Sequence, residues 1–324
     1  MDGYIALYMF AAICLLLMLG YPVAFTLAGT ALAFAAVGVI AGHFDPAFLA
    51  ALPARIFGTI SNDTLIAVPL FILMGVILEK SRIAEQLLGT MSRSFGSLPG
   101  GLGIAVILVG MLLAASTGIV GATVVTMGLL SLPSMLKGGY SPSQAQLSMG
   151  IFTPKAVSVG DLFVGALIPG ILLVLLYLAY VMAVARFRPR LAPNVETEPV
   201  ALAELLGSLL PPLVLIAVVL GSILAGAATP TEAAGVGAVG ALLLALAKRE
   251  MPLPRLREAV IDTMKVTCMV FMILIGAAVF SLVFRGFGGE DLIHHWFGQM
   301  PGGVFGATLV VMLVIFLLGF ILDF

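Results

Sequence analysis

Two copies of one short motif decide how the fold of this sequence is interpreted. The stretch FGSLPGG at residues 95–101 returns as FGQMPGG at residues 297–303, and each copy leads into a long apolar run. The residues upstream also agree, because FILMG at 71–75 has a counterpart in FMILIG at 271–276. These matches indicate an internal repeat. Chance similarity between glycine-rich apolar sequences is the alternative explanation.

The composition is that of an integral membrane protein. Hydrophobic residues make up 61% of the 324 residues, and charged residues only 10%. Soluble domains contain about 25% charged residues, so this chain has too few charges to cover a surface that faces water. Cys14 and Cys268 both lie inside apolar runs, where core packing is their expected role. We expect the lipid bilayer as a partner and no nucleic acid, since the sequence has no basic stripe.

The apolar runs predict an all-α, polytopic bundle of membrane helices. A helix needs about 20 apolar residues to cross the hydrocarbon region, and an open sheet cannot lie in lipid. Residues 4–41 are uncharged but are interrupted by Gly20-Tyr21-Pro22, which predicts two helices joined by a tight turn. Residues 42–64 are mixed and are expected to lie partly at the interface. The remaining apolar runs are residues 65–78, 102–136, 162–185, 205–228, 233–247, 259–284 and 304–322.

The lysine and arginine residues predict opposite orientations for the two copies. Eleven of the fifteen basic residues lie in segments 80–93, 186–190 and 248–265, and the positive-inside rule places these segments in the cytoplasm. The first copy of the motif follows the basic segment 80–93, whereas the second follows the acidic pair Glu290-Asp291. The predicted spans put an odd number of crossings between them. An inverted-topology repeat of this kind is typical of secondary transporters.

The first copy leads into a candidate binding segment. Residues 102–136 are too long for one span, and their middle, residues 114–123, reads AASTGIVGAT. Glycines, hydroxyls and β-branched residues predict a helix break here, and unwound backbone at membrane depth can bind Na⁺ or an anionic substrate group. The alternative is that small residues merely let helices pack closely. The candidate residues for Na⁺ or substrate binding are Ser116, Thr117, Gly118, Gly121 and Thr123.

A second polar cluster precedes the apolar run at 65–78. Ser61 and Asn62 begin the sequence SNDT, whose side chains are those that cap helices. The cluster predicts the start of a re-entrant half-helix, which would add Ser61 and Asn62 to the candidate binding residues. A plain N-cap at the interface explains the same residues.

The chain resembles the large membrane subunit of tripartite ATP-independent periplasmic (TRAP) transporters, the DctM-like family. The matching stretches are LIAVPLFILMGVILEKS, LPGGLGIAVILVG, ASTGIVGATVVTMGLLSLPSMLKGGYSP, SVGDLFVGALIPG and ATPTEAAGVGAVGALLLAL. They occur in the family's order and cover most of the chain. The resemblance implies a multi-pass protein of the bacterial inner membrane that imports an organic acid with Na⁺ by an elevator-type movement. It implies a small four-helix (DctQ-like) membrane subunit and a periplasmic binding protein as partners. It also places Thr117, Gly118 and Thr123 on the family's unwound binding loop.

Other matching motifs are expected to be structural. Ser158 and Asp161 have capping-box spacing at the start of the helix through residue 185. The turn Thr229-Pro230-Thr231-Glu232 is predicted to face outside, with Glu232 as a cap at headgroup level. A carboxylate within the membrane would instead indicate function. A stripe of small residues that lets another helix approach follows at Ala233, Gly237 and Ala241.

The sequence departs from the family in two places. In the family, the GYSP segment leads into a re-entrant hairpin with an SGTLG…IPPS-type tip, whereas here residues 140–143 run directly into residues 144–152 without such a tip. The second copy ends at residues 322–324, where the first reaches Ala115-Ser116-Thr117. We therefore expect the chain to be a fragment, or a sequence from which internal stretches are missing, and unable to transport as it stands.

Four regions follow from these patterns. We predict N-terminal helices with an interfacial segment at 1–64, a first repeat with the binding loop at 65–143, connecting and scaffold helices at 144–258, and the start of the second repeat at 259–324. The alternative function is a stand-alone secondary carrier for organic anions without a soluble receptor. A membrane-embedded enzyme would need a carboxylate or histidine cluster at membrane depth, which the sequence does not show. We expect Na⁺ as the coupling ion, no other metal and no cofactor.

Overall fold

The structure, a computed structural model, describes residues 3–96, 98, 100–117, 161–187, 200–298 and 303–322. These residues form α-helices, one 3₁₀ helix and connecting turns, and no β-strand occurs among them. The α-helices are α1 Gly3–Met18, α2 Val23–Ile40, α3 Leu52–Ile60, α4 Asp63–Lys80, α5 Ile83–Phe95, α6 Gly101–Thr117, α7 Asp161–Phe187, α8 Leu202–Leu224, α9 Pro230–Ala247, α10 Leu253–Gly286, α11 Gly289–Gly298 and α12 Gly303–Leu322. The 3₁₀ helix is Pro46–Ala51.

Five of the described helices are long and apolar enough to cross a membrane. They lie at Val23–Ile40, Ile168–Phe187, Ala203–Leu224, Pro230–Ala247 and Leu253–Gly286. The last has 34 residues and is therefore about 50 Å long at 1.5 Å per residue. A hydrocarbon layer is about 30 Å thick, so part of this helix extends beyond it. The predicted all-α membrane architecture is confirmed.

The structure divides into two compact units. Unit 1 contains residues 1–62 and 267–324, and unit 2 contains residues 63–266. In unit 1, α1 and α2 form the predicted hairpin, which turns at Gly20 with a φ of +84°. Phe44 and Phe287 lie with ring centroids 4.9 Å apart in the core of this unit. Pro46–Ala51 and α3 contain no buried residue, as expected for an interfacial segment.

Unit 2 has a core built from α4, α5, α6, α8 and α9. Its fully buried side chains include Met74, Ile77, Ile83 and Leu87. Gly237 of α9 allows a close approach in this core, since a Cβ there would lie 2.6 Å from Met74 Sδ and 3.0 Å from Val219 Cγ2. Ala233 and Ala241 are buried on the same helix. The small-residue stripe therefore packs α9 tightly against α4, as the spacing predicts.

The two copies of the repeated motif follow the same helical corner. Before α5, the Ser81 N–H donates to the Ile77 carbonyl, and Arg82 has a φ of +58°. Before α11, the Phe287 N–H donates to the Val283 carbonyl, and Gly288 has a φ of +73°. Each corner leads into a short amphipathic helix, then into the FGxxPGG sequence and an apolar helix, α6 or α12. The repeat is therefore present in the backbone as well as in the sequence.

Candidate functional site

The residues predicted to bind Na⁺ or substrate follow the buried part of α6. Ser116 and Thr117 are the last two residues of this helix that the structure describes. Gly118, Gly121 and Thr123 lie outside the described residues. Because the backbone is helical through Thr117, an unwound segment can begin only after it. The first four residues of the stretch 114–123 are therefore helical, and the break predicted within that stretch stays a prediction.

The first half of α6 is buried on more than one face. Ala105, Val106, Ile107 and Val109 all have no exposed surface, and Leu102 is 5% exposed. Four buried positions among five consecutive residues cover more than one face, because successive residues of a helix are about 100° apart. A helix that is buried on several faces cannot rotate without disturbing the core on each of them. The packing of unit 2 therefore fixes the direction of the first half of α6.

The PGG motif itself explains how α6 begins. Gly100 has a φ of +76°, and a Cβ there would lie 2.9 Å from the Ala185 Cβ and 3.3 Å from Val181 Cγ1 of α7. A Cβ on Gly101 would overlap the carbonyl oxygen of Phe95. Both positions thus require glycine, the first for its backbone conformation and its contact with α7, the second for the turn back onto α5.

The cluster at Ser61 and Asn62 separates two helices. Ser61 is the C-cap of α3, and its N–H donates to the Phe57 carbonyl at 2.9 Å. Asn62 directly precedes Asp63, the first residue of α4. Both residues are exposed and belong to unit 1, whereas α6 belongs to unit 2. Their part in a shared binding site stays a prediction.

The turn before α9 is a complete capping box. The Glu232 N–H donates to Thr229 Oγ1 at 3.3 Å, and the Thr229 N–H donates to Glu232 Oε2 at 2.8 Å. Pro230 occupies the first turn, where its missing N–H costs nothing. The Glu232 carboxylate thus caps the start of α9, and Thr231 lies within the same turn.

The other proposed capping box begins at Ser158, which lies outside the described residues. The structure describes Asp161 as the first residue of α7.

One end of unit 2 contains several charged contacts between its described residues. Lys80 Nζ lies 2.9 Å from Asp262 Oδ2, linking the end of α4 to α10. Arg93 of α5 pairs with Glu204 in the first turn of α8. Lys248, the residue that caps α9, donates a hydrogen bond of 3.0 Å to Gln86 Oε1 of α5. The basic segments 80–93 and 248–265 therefore lie at the same end of this unit, as a common side of the membrane requires.

A cavity that the sequence did not predict opens at this end. Its volume is about 400 Å³, and its polar lining comes from Gln86, Thr90, Arg93, Glu204, Ser208 and Lys248. The basic residues predict only the topology of the chain, and nothing in their spacing shows that α5, α8 and the end of α9 meet. Among the described residues, no group of three or more His, Cys, Asp or Glu side chains could hold a metal ion.

Comparison with known proteins decides the family. The family model for the tripartite ATP-independent periplasmic transporter, DctM component, matches residues 10–151 and 147–324. The chain belongs to this DctM family. The resemblance found in the sequence is confirmed, and the protein is a multi-pass membrane protein of a transporter family.

Relatives of this DctM-family chain agree. The C4-dicarboxylate TRAP transporter large permease protein DctM of Pseudomonas aeruginosa is 30% identical over 298 residues, which cover 85% of this chain and 69% of that protein. The ectoine/5-hydroxyectoine TRAP transporter large permease protein UehC of Ruegeria pomeroyi is 28% identical, covering 92% of this chain and 70% of that protein. The sialic acid TRAP transporter large permease protein SiaM of Vibrio cholerae is 27% identical, covering 95% and 75%.

The family match is made in two segments that overlap at residues 147–151. This overlap falls within residues 144–152, where the sequence departs from the family's hairpin. The departure and the break in the match therefore coincide. The residues concerned lie outside those that the structure describes, and the missing hairpin stays a prediction.

Proposed function

We propose that this chain is the large permease subunit of a Na⁺-coupled TRAP transporter in the bacterial inner membrane. In this proposal it imports an organic acid that a periplasmic binding protein delivers, and it works with a small four-helix membrane subunit. The main support is the family match over residues 10–324. Relatives named for C4-dicarboxylates and sialic acid support an organic acid as substrate.

The repeated helical corner and the repeated FGxxPGG turn support the mechanistic part of the proposal. Secondary transporters with inverted repeats place their sites where broken helices meet near the midplane. In this chain, the first turn positions the start of α6, and the second turn precedes α12. Na⁺ would be held there by backbone carbonyls and by hydroxyls such as that of Thr117. An elevator-type movement of the two repeats would then expose the site to each side in turn.

An uptake measurement tests this function. The permease, expressed from its own gene, is purified with its small membrane subunit and reconstituted into liposomes, and candidate acids are supplied on the binding protein. We expect uptake only when the loaded binding protein and an inward Na⁺ gradient are both present. Uptake of the free acid without the binding protein would instead show a stand-alone carrier. Equal uptake with K⁺ in place of Na⁺ would refute the coupling ion.

A further inference from the structure

The cavity between α5, α8 and the end of α9 has the features of an anion site. Its volume is about 400 Å³, and it is largely open to its surroundings. Arg93, Lys248 and Glu204 line it together with the hydroxyl-bearing residues Thr90 and Ser208. Because Glu204 pairs with Arg93, the three charged groups leave one net positive charge, that of Lys248. Gly89 and Gly207 also line it, and a Cβ at either position would meet no atom within 4 Å. The glycines thus leave open space beside the polar groups.

Lys248 supplies the electrostatic reason for an anion. Its side chain is half-buried, and its ammonium donates to the neutral amide of Gln86 at 3.0 Å. The neighbouring carboxylate of Glu250 is engaged by Arg255, with Nη1 and Oε2 3.2 Å apart. Burial lowers the pKa of Lys248 from its ordinary value, since desolvation disfavours the ammonium and the charge of Glu250 offsets this only in part. An anion in the cavity would restore the favourable contact that the ammonium lost with water.

The position of the cavity indicates where the anion comes from. The lining residues lie near the start of α8 and at the end of α9, where membrane helices meet the headgroup region. Leu210 and Val214 follow Gly207 at i+3 and i+7 on α8 and are each about half exposed. Residues with this spacing share one helix face. An apolar strip therefore leads away from the cavity along the helix, as an acyl chain would require.

We propose that this cavity binds the phosphate group of an anionic phospholipid, with its acyl chain along the exposed face of α8. Lys248 contacts the phosphate oxygens, and Arg93, which stays paired with Glu204, offers them a further N–H donor. Thr90 and Ser208 line the wall beside the headgroup. Basic pockets between membrane helices are known to hold lipid headgroups on the side where basic residues collect. A bound lipid would join α5, which precedes the PGG turn, to α8 and α9. Membrane composition would then affect the part of unit 2 that positions α6.

The test measures how far a bound lipid protects Lys248 from chemical modification. The purified permease is placed in nanodiscs of phosphatidylcholine alone or with phosphatidylglycerol, and an amine reagent is added. Mass spectrometry follows modification of Lys248 and of Lys265, an exposed lysine outside the cavity. We expect phosphatidylglycerol to slow modification of Lys248 about fivefold or more, because a pKa rise of one unit lowers the neutral fraction about tenfold. Lys265 should change much less.

Two glycine variants of α8 make the test specific. Gly207→Leu fills the cavity and should remove the protection of Lys248. Gly221→Leu is the matched control, because its Cβ also meets no atom within 4 Å and it does not line the cavity. This control should keep the protection.

Three results would overturn the proposal. Equal protection by inorganic phosphate in phosphatidylcholine nanodiscs would show a soluble anion instead of a lipid. Equal slowing of Lys265 would show a diffuse effect of membrane charge. Unchanged protection in Gly207→Leu would show that the headgroup binds elsewhere.

Discussion

Replacing Gly101 by alanine should damage the turn that starts α6. The new Cβ would overlap the Phe95 carbonyl oxygen, so the carbonyl has to move away. That oxygen accepts a hydrogen bond of 2.9 Å from the Leu98 N–H, and the Leu98 carbonyl accepts one of 2.9 Å from the Gly101 N–H. Each hydrogen bond contributes about 0.5–1.5 kcal/mol, and a buried group left without a partner costs about 1–3 kcal/mol. We therefore expect Gly101→Ala to lower the free energy of unfolding by about 2–4 kcal/mol.

Substitutions at two further glycines provide comparisons for the predicted loss of stability. Gly100→Ala keeps the turn but forces a left-handed conformation, which costs about 1–2 kcal/mol, and its Cβ would lie 2.9 Å from that of Ala185. Gly89→Ala on α5 meets no neighbour within 4 Å and should gain about 0.5–1 kcal/mol from helix propensity. Denaturant unfolding of the purified variants in detergent measures all three. A Gly101→Ala protein as stable as the Gly89→Ala protein would refute the reasoning.

Three other predictions address packing, ion binding and topology. Gly237→Ala should destabilise the protein by about 1–3 kcal/mol, because the new Cβ clashes with Met74. Gly235→Ala should not destabilise it, because a Cβ there would lie 4.0 Å from the nearest atom. Thermal unfolding of the two variants in detergent compares them. Thr117→Val should weaken Na⁺ activation of uptake while expression stays intact, whereas Thr59→Val in α3 should leave Na⁺ activation unchanged. Unchanged Na⁺ activation in Thr117→Val would reject a role of Thr117 in Na⁺ binding. In a cysteine-free background, a cysteine at position 232 should react with an impermeant thiol reagent added outside, and a cysteine at position 255 with the reagent added on the cytoplasmic side. Labelling of position 232 only from the cytoplasm would show that the predicted orientation is reversed.

The sequence predicted the helical elements well because membrane helices have strong local signals. Long apolar runs gave α2, α8 and α9 close to their observed bounds, and Gly20-Tyr21-Pro22 marked the first hairpin. The small-residue stripe on α9 predicted a close helix contact, but it did not identify α4 as the partner. The spacing of residues within a helix shows which face can pack. It does not show which distant helix will occupy that face.

The sequence could not predict the charged end of unit 2. Lys248 and Gln86 are separated by 162 positions, and Arg93 and Glu204 by 111. Their meeting depends on how five helices pack in the core, which is a property of the whole unit. The candidate binding residues show the opposite case. A run of glycine and hydroxyl residues is visible in the local sequence, but the structure describes only its first residues, through Thr117, as helical, and the break stays a prediction.

The two glycines of the first PGG motif fix the place where α6 begins. In the first copy, one glycine lets α7 approach the turn and the other lets the chain fold back onto Phe95. Neither contact involves chemistry with a substrate, since both only fix where α6 begins. The buried α6 then carries the chain from the turn to Thr117, about 24 Å along the helix axis from Gly101 at 1.5 Å per residue. The second copy of the motif likewise precedes an apolar helix, α12. Substitutions in the turn should for this reason affect transport through the placement of the binding segment, and not through its ligands.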